Sequence, residues 1–292
     1  MKLIDKLSVI VWNIGFIEEN IEEIFTRKSK NKITWMKHKY KDRFFADPFI
    51  LGMTDKEIIL LVEEYLFVEG KGKIVKLIID KKNKHLLERT LLIESEYHLS
   101  YPFIYNDLII PEQSESKSWI SYNQNGEKHE MISKEGFIDG TIFNDGSNEW
   151  LFTTKIVNEK KDANSKLFRY KIYDGKVDMS TEKLIKDTMI SSRPGGSFFE
   201  FNGNWYRIAQ NSSEKNYGEA VSICKIKVCN DKDYCEELVS VINSKKEKRY
   251  NRGVHTFNIG KGFIVVDGWE MQLHPIQKIK YKLLKRSGNK NV

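Results

Sequence analysis

Three cysteines, Cys224, Cys229 and Cys235, are all that the 292 residues contain. An odd number, with no histidine or second cysteine pair at zinc-finger spacing, argues against a disulfide framework and a structural zinc site. The expectation is three free thiols in a reducing cytoplasm. Long apolar runs are missing too: no stretch of eighteen apolar residues is available to cross a membrane. The apolar start from Leu7 to Trp12 lacks a small-residue cleavage site and runs into the acidic segment 18–23, so no signal peptide is read. Walker, GxGxxG, HExxH and GxSxG motifs are absent, which removes glycine cradling of nucleotides, zinc proteolysis and serine hydrolysis from the functions to weigh.

Positive charge is scarcer than the total suggests. The chain carries a formal +7, but Lys278, Lys280, Lys282, Lys285, Arg286 and Lys290 lie together in a segment with no acid. The rest is almost neutral, which argues against nucleic acid as a partner. This terminal run, with Ile, Tyr and Leu among the lysines, reads either as a solvated tail or as a segment for an anionic membrane surface, where each cation adds about 1 kcal/mol. The expected organisation is one domain over 1–277 and a basic tail over 278–292, in a cytoplasmic protein that could sit peripherally on the inner membrane face.

What is present is a repeat. A polar residue, often followed by Pro or Gly, precedes a short apolar run, a turn and a second apolar run. Copies start at Asp47, Tyr101, Asp139, Arg193 and His255, between 38 and 62 residues apart. Each reads as a β-hairpin with turn chemistry such as Asn-Asp-Gly-Ser, and each interval holds further strand-like material, for example KIVKLIID and KLFRYKIYD. Four strands per unit and five units predict an all-β fold, a five-bladed β-propeller. Pro48, Pro102 and Pro194 fall where innermost strands would border the central channel, an edge position that tolerates proline. The run SVIVW near the start would complete the last blade. Ile17, Ile21, Ile24 and Phe25 share one helical face, so a short N-terminal packing helix is expected over 16–30.

The five unit-leading residues would converge on one pocket. Asp47, Glu112 and Asp139 are the candidate catalytic carboxylates. Two carboxylates across a pocket are the minimum for making or breaking a glycosidic bond, and Asp47 with Glu112 is the leading pair. Glu63, Tyr101, Arg193, Gln210, Tyr217, His255 and Asp267 are candidate substrate-binding residues. The forked guanidinium of Arg193 suits a carboxylate or phosphate, pointing to an anionic ligand. No motif calls for a cofactor, and a metal ion in the channel stays open.

The segments FFADPFI, EEY, HLSYPFI, IIPE, DGTIF, SRPGG, AQNSS with Tyr217-Gly218, HTFN and VVDG together resemble bacterial proteins similar to the N-terminal domain of plant glucosamine inositolphosphorylceramide transferase. The likeness runs from about Trp35 to Asp267. That family is in turn similar to the five-bladed propellers of arabinanase and β-xylosidase-type glycoside hydrolases, whose Ala-Asp-Pro step carries the catalytic base; Asp47 occupies the matching position. The resemblance implies a sugar or activated-sugar substrate and a role in surface glycans such as capsule or O-antigen. This chain departs from the hydrolase pattern at Tyr101 and Asp139, where that pattern has Asp and Glu. Either Glu112 takes the acid role from another strand, or the pocket performs transfer. The expectation is a carbohydrate-active enzyme, with glycosyltransfer ahead of hydrolysis and a non-catalytic glycan-binding propeller as the alternative.

Overall fold

The computed structural model describes residues 8–26, 32–214 and 216–275. The basic tail lies outside them. Five antiparallel sheets succeed one another along the chain. Blade I comprises β3 (Arg43–Met53), β4 (Glu57–Leu66), β5 (Lys71–Asp80) and β6 (Leu86–Ile93); blade II comprises β7 (Ser100–Tyr105), β8 (Leu108–Glu112), β9 (Trp119–Tyr122) and β10 (Lys128–Ser133). Blade III is β11 (Ile138–Asn144), β12 (Glu149–Thr154), β13 (Lys166–Tyr173) and β14 (Lys176–Asp187), with α2 (Asp162–Ser165) between β12 and β13. Blade IV is β15 (Ile190–Pro194), β17 (Asn204–Asn211), β18 (Ala220–Cys229) and β19 (Tyr234–Ile242), with β16 (Phe199–Phe201) also paired to β17.

Blade V is made from both ends of the described chain. It runs β20 (Phe257–Gly260), β21 (Phe263–Leu273), β1 (Ser8–Ile17) and β2 (Thr34–Trp35). The β1 strand pairs with β21 in unbroken register from Ser8 opposite Leu273 to Ile17 opposite Ile264. The expected N-terminal strand is therefore present and longer than SVIVW. It also takes Phe16 and Ile17 away from the helix expected over 16–30. Both face apolar partners across the ladder, and α1 is only Ile21–Phe25, started by a capping box between Asn20 and Glu23.

The seams between blades hold the core. Ile14, Phe16 and Val265 meet Leu60, Val62 and Leu77 between blades V and I; Leu61 and Ile74 meet Leu99 and Ile109 between I and II. Tyr101, Trp119, Leu151 and Tyr170 fill the next seam, Phe143 and Phe152 pack with Phe198 and Trp205 after it, and Ile208, Ile223, Phe257 and Val266 close the ring. Middle strands such as EIILLVEEYL are buried on both faces, so their apolar run is nearly continuous. The outermost strands carry charge, as in LLERTLLI and KVDMSTEKLIKD, which discourages pairing with another chain.

One feature of the inner strands sets up the centre. In each of blades I to IV the register between the innermost strand and its neighbour slips, at Ala46/Phe49, Ser100/Phe103, Ile138/Thr141 and Ile190/Pro194. A residue within each slip has positive φ: Asp47 at 51°, Tyr101 at 43°, Asp139 at 50° and Ser191 at 55°. Such bulges re-aim a side chain and free a backbone N–H from the ladder. Non-glycine residues in this region carry strain, which the surroundings must hold in place.

Candidate active site

Asp267 on β21 organises the blade V side. Its Oδ1 accepts the backbone N–H groups of His255 and Thr256, each at 3.0 Å, and its Oδ2 accepts the freed N–H of Asp47 at 3.0 Å. The same Oδ2 lies 2.6 Å from His255 Nδ1. On the far side of the imidazole, Nε2 is 3.7 Å from Asp47 Oδ1, which is charge contact and not a hydrogen bond. Asp47 is held independently: Thr256 Oγ1 donates to Oδ1 at 2.8 Å, and the freed N–H of Tyr101 donates to Oδ2 at 3.1 Å. The ring of His255 stacks on Trp12 of β1 with centroids 3.9 Å apart.

These contacts set the charges. Burial opposes the charge on His255, but the carboxylates of Asp267 and Asp47 outweigh it and raise its pKa. Burial would raise Asp267 too, yet the facing His255 charge and its donors hold it below the ordinary range. Asp47 goes the other way: burial raises it, His255 pulls against that, and the nearby Asp267 charge adds to the rise.

Asp139 and Arg193 form the second group. Arg193 Nε and Nη2 reach Asp139 at 2.6 and 3.2 Å, and its Nη1 reaches Asn164 Oδ1 at 3.3 Å. Gln210 Nε2 donates to Asp139 Oδ2 at 2.6 Å and to the Pro194 carbonyl at 2.7 Å, while its buried Oε1 has no partner. Burial pushes Asp139 up to about 6, although the Arg193 guanidinium favours its charge. The expectation that Arg193 grips an anionic ligand is thereby corrected. Its fork already holds a carboxylate of the protein, and the remaining acids of the centre would repel an anion.

Two adjacent glutamates show how strand alternation divides labour. Glu64 turns to Arg43 and Arg89 and is fully paired. Glu63, opposite Ala46 in the β3–β4 ladder, is only 7% exposed and, among the described residues, pairs with no lysine or arginine; His98 Nε2 lies 3.6 Å from its Oε1. The Gly72 N–H donates to His98 Nδ1 at 2.9 Å, so that nitrogen is an acceptor and the proton sits on Nε2, facing Glu63. Burial first, and then the charges of Asp47, Glu112, Asp267 and Asp139, raise Glu63 well above the usual range. Burial and the surrounding like charge thus favour the protonated form of Glu63.

The remaining candidates fall into place around these. Glu112 is buried at the end of β8, accepting from Ser100 Oγ at 2.8 Å and from the Ser114 N–H at 3.0 Å. Tyr217 is 37% exposed, with its ring edge-on to His255 and beneath the Arg193 guanidinium at 5.2 Å, which offers an aromatic face at the rim. Gly218 follows it with φ +60°, and a Cβ there would come within 2.9 Å of His255, so the loop closes on the imidazole only with glycine. The side chain of Tyr101 does not belong to the pocket. It is fully buried against Phe49, with its hydroxyl on Thr141, and it serves the site only through its N–H.

Thr256, His98 and Trp12 were not singled out by sequence reasoning. The only trace of them was adjacency: Thr256 follows His255, Trp12 ends the SVIVW run expected to complete the last blade, and His98 opens the HLSYPFI segment. Among the described residues Asp47, His255 and Asp267 could offer three metal-ligand atoms within 4.8 Å of one another. All four carboxylate oxygens, however, already accept N–H or O–H donors. The two carboxylates are thus held by the protein's own donors, with the imidazole bonded to Asp267 and in charge contact with Asp47.

A five-bladed propeller with a central cluster of buried carboxylates, one raised in pKa and one held down beside an imidazole, is the class of protein that fold and centre define. The chain belongs to the family described as "Glucosamine inositolphosphorylceramide transferase 1, N-terminal", which matches residues 31–264. Curated relatives include glucosamine inositolphosphorylceramide transferase 1 of Arabidopsis thaliana, 26% identical over 250 residues covering 77% of this chain and 32% of the relative. The protein of that name from Oryza sativa subsp. indica is 23% identical over 246 residues, covering 79% and 33%. The chain therefore spans about a third of these relatives. Among solved structures, the catalytic domain of Coprinopsis cinerea α-L-arabinofuranosidase superposes with a TM-score of 0.54 at 7% identity, covering 80% of this chain and 94% of that one. Listeria innocua β-1,2-mannobiose phosphorylase gives 0.54 at 10% identity, covering 85% and 95%. At such identities the shared property is the fold.

Proposed function

We propose that this protein is a carbohydrate-active enzyme that forms or breaks a glycosidic bond at the propeller centre, with glycosyl transfer favoured over hydrolysis. The observation that carries the reading is the placement of Glu63, whose protonated form burial favours, opposite Ala46 in the β3–β4 ladder and so beside the bulge that bears Asp47, with Asp267 and His255 next to it. Both carboxyls are raised, but the charge of Asp47 is favoured by His255, Thr256 and the Tyr101 N–H while that of Glu63 is opposed by four carboxylates, the difference in surroundings that base and acid roles require. In the proposed step the bond from the anomeric carbon to the departing oxygen breaks and Glu63 gives its proton to that oxygen. A new bond forms to the acceptor oxygen, whose proton passes to Asp47. Water as acceptor gives hydrolysis; a sugar or lipid hydroxyl gives transfer. Glu112, read from sequence as the acid, becomes a charge that helps to hold the proton on Glu63. Tyr217 supplies an apolar face for a sugar ring, and the unpartnered Gln210 Oε1 suits a hydroxyl.

Transfer is favoured because the curated relatives are named for it and because Tyr101 stands where the hydrolase pattern has a carboxylate. The proposal extends to surface-glycan assembly of the capsule or O-antigen kind, an activated-sugar donor, and a cytoplasmic setting with the basic tail against an anionic membrane. One observation favours binding without chemistry: Asp139, Arg193 and Gln210 already satisfy one another.

A thermal-shift screen of neutral oligosaccharides, sugar phosphates and nucleotide sugars tests the proposal. A ligand at a hundredfold excess over Kd stabilises by about 2.7 kcal/mol. Stabilisation by an activated sugar, with turnover that Asp47→Asn abolishes, supports transfer; stabilisation without turnover by the wild type supports the binding-only reading.

A further inference from the structure

Away from the centre, the segment Lys37-His38-Lys39-Tyr40-Lys41-Asp42-Arg43 leads into the strand that carries Asp47. It runs between two cavities. One, of about 270 Å³ at the seam of blades V and I, is lined by Lys37, His38, Lys41, Arg43, Arg249 and His274 together with Trp35, Tyr40 and Tyr250. The other, of about 460 Å³, shares Lys37, His38 and Tyr40 and adds Lys39, His85, Arg89 and the acidic Glu88. The lining of the first contains no carboxylate.

Arg43 is paired with Asp42 and Glu64, and Arg249 with Glu270. Among the described residues Lys37 and Lys41 form no ion pair, and both are exposed. The arginine charges are met by carboxylates, so the positive field of the cavity comes from the two lysines. Its sign shows in His38, held down to about 4 by burial and by the charges of Lys41 and Arg249. Two lining residues also carry a buried nitrogen without a partner, Trp35 Nε1 and His38 Nδ1. An indole N–H can only donate, and a neutral imidazole can place its proton on Nδ1, so what would satisfy both is an acceptor.

We infer that the blade V–I seam is an anion site for a phosphate-bearing ligand, held by the unpaired Lys37 and Lys41. Compact anions are recognised by convergent cations and N–H donors, and the cavity lies near the small end of ligand-pocket volumes, suited to a phosphate or diphosphate group and not an oligosaccharide. The site does not rest on the chemistry proposed for the centre. It provides an anion-binding locus that the acid-lined centre, with Arg193 already engaged, does not.

The probe is sodium pyrophosphate, titrated calorimetrically into the full-length chain at fixed ionic strength with chloride as control. Binding by the wild type, weakened at least tenfold in Lys37→Gln/Lys41→Gln with an unchanged ligand-free Tm and retained in Asp47→Asn, is the expected result. Should the double variant lower the Tm, Lys41→Gln alone carries the comparison. Flotation with phosphatidic acid vesicles separates a lipid headgroup from a free phosphate: lysine-dependent flotation without pyrophosphate binding places the phosphate on a lipid. Equal pyrophosphate binding by wild type and lysine variant, or neither pyrophosphate binding nor lysine-dependent flotation, overturns the inference.

Discussion

Asp267 Oδ2 lies 2.6 Å from His255 Nδ1 and also takes the N–H of Asp47 from the next blade. One carboxylate thus fixes the imidazole, the loop that bears it and the strained residue at the start of blade I. The charge of the centre and the closure of the ring are handled by the same side chain.

Replacing Asp267 with Asn turns one of its acceptor oxygens into a donor that faces buried donors. Each buried group left unpaired costs about 1–3 kcal/mol. Urea unfolding of Asp267→Asn is expected to show a loss of about 2–5 kcal/mol, with His255 no longer held in its charged form. A histidine titration by NMR then reads a fall in the His255 pKa.

Glu63 offers a test in the opposite direction. Glu63→Gln keeps the shape and removes a proton donor, not a buried charge, so stability should hold while turnover falls by about 10²–10⁴. In the wild type, activity falls as pH rises through the Glu63 pKa, because the protonated form is the working one. In Glu63→Gln that alkaline limb should vanish, while substrates whose leaving group needs no proton should lose least.

Gly72 leaves the room in which Glu63 sits. An added Cβ would lie 2.4 Å from the Leu99 carbonyl oxygen and 2.6 Å from Glu63 Oε1, and the backbone cannot retreat as a side-chain end can. Gly72→Ala is expected to cost about 1–3 kcal/mol as overpacking does. It should also reduce turnover more than this loss of stability explains.

Far from the centre, Glu236 holds the buried Arg207 through Nε and Nη2 at 2.8 and 2.7 Å, and takes Lys186 at 2.6 Å. Burial opposes its charge, but these cations bring its pKa down to about 2. A depressed carboxylate stabilises the fold above its unfolded pKa near 4.5 and loses that contribution as pH falls towards 2. The shift corresponds to about 3 kcal/mol. Glu236→Gln should lose about 3–5 kcal/mol at pH 7, since Arg207 is left buried and unpaired, and should show a shallower stability decline between pH 4.5 and 2.

The blade count was legible because each unit opens on a polar residue, before Pro or Gly in the first four, and in blades I to III that residue is the positive-φ bulge of the finished sheet. The helix was misjudged because Ile17, Ile21 and Ile24 fit a helical face, while the pairing that claims Phe16 and Ile17 comes from strand β21, some 250 residues later. The pocket's membership was legible in part. Asp47, Asp139 and His255 begin repeats, so position pointed to them. Partnership was not legible: Arg193 and Asp139 are 54 residues apart, and only the fold shows that the guanidinium is already taken. The raised pKa of Glu63 was hidden for the same reason, since it arises from burial in the fold and then from four carboxylates on other strands. Tyr101 misled because its side chain and its N–H face different surroundings.

The most direct test of the central claim is product formation from an activated sugar selected by ligand screening, measured for the wild type and Asp47→Asn alongside the Kd of each. A turnover loss of at least a hundredfold with Kd changed by less than about threefold is the expected result, matching a residue that acts in the transition state. Unchanged turnover in Asp47→Asn, or binding with no turnover by the wild type, would contradict the account.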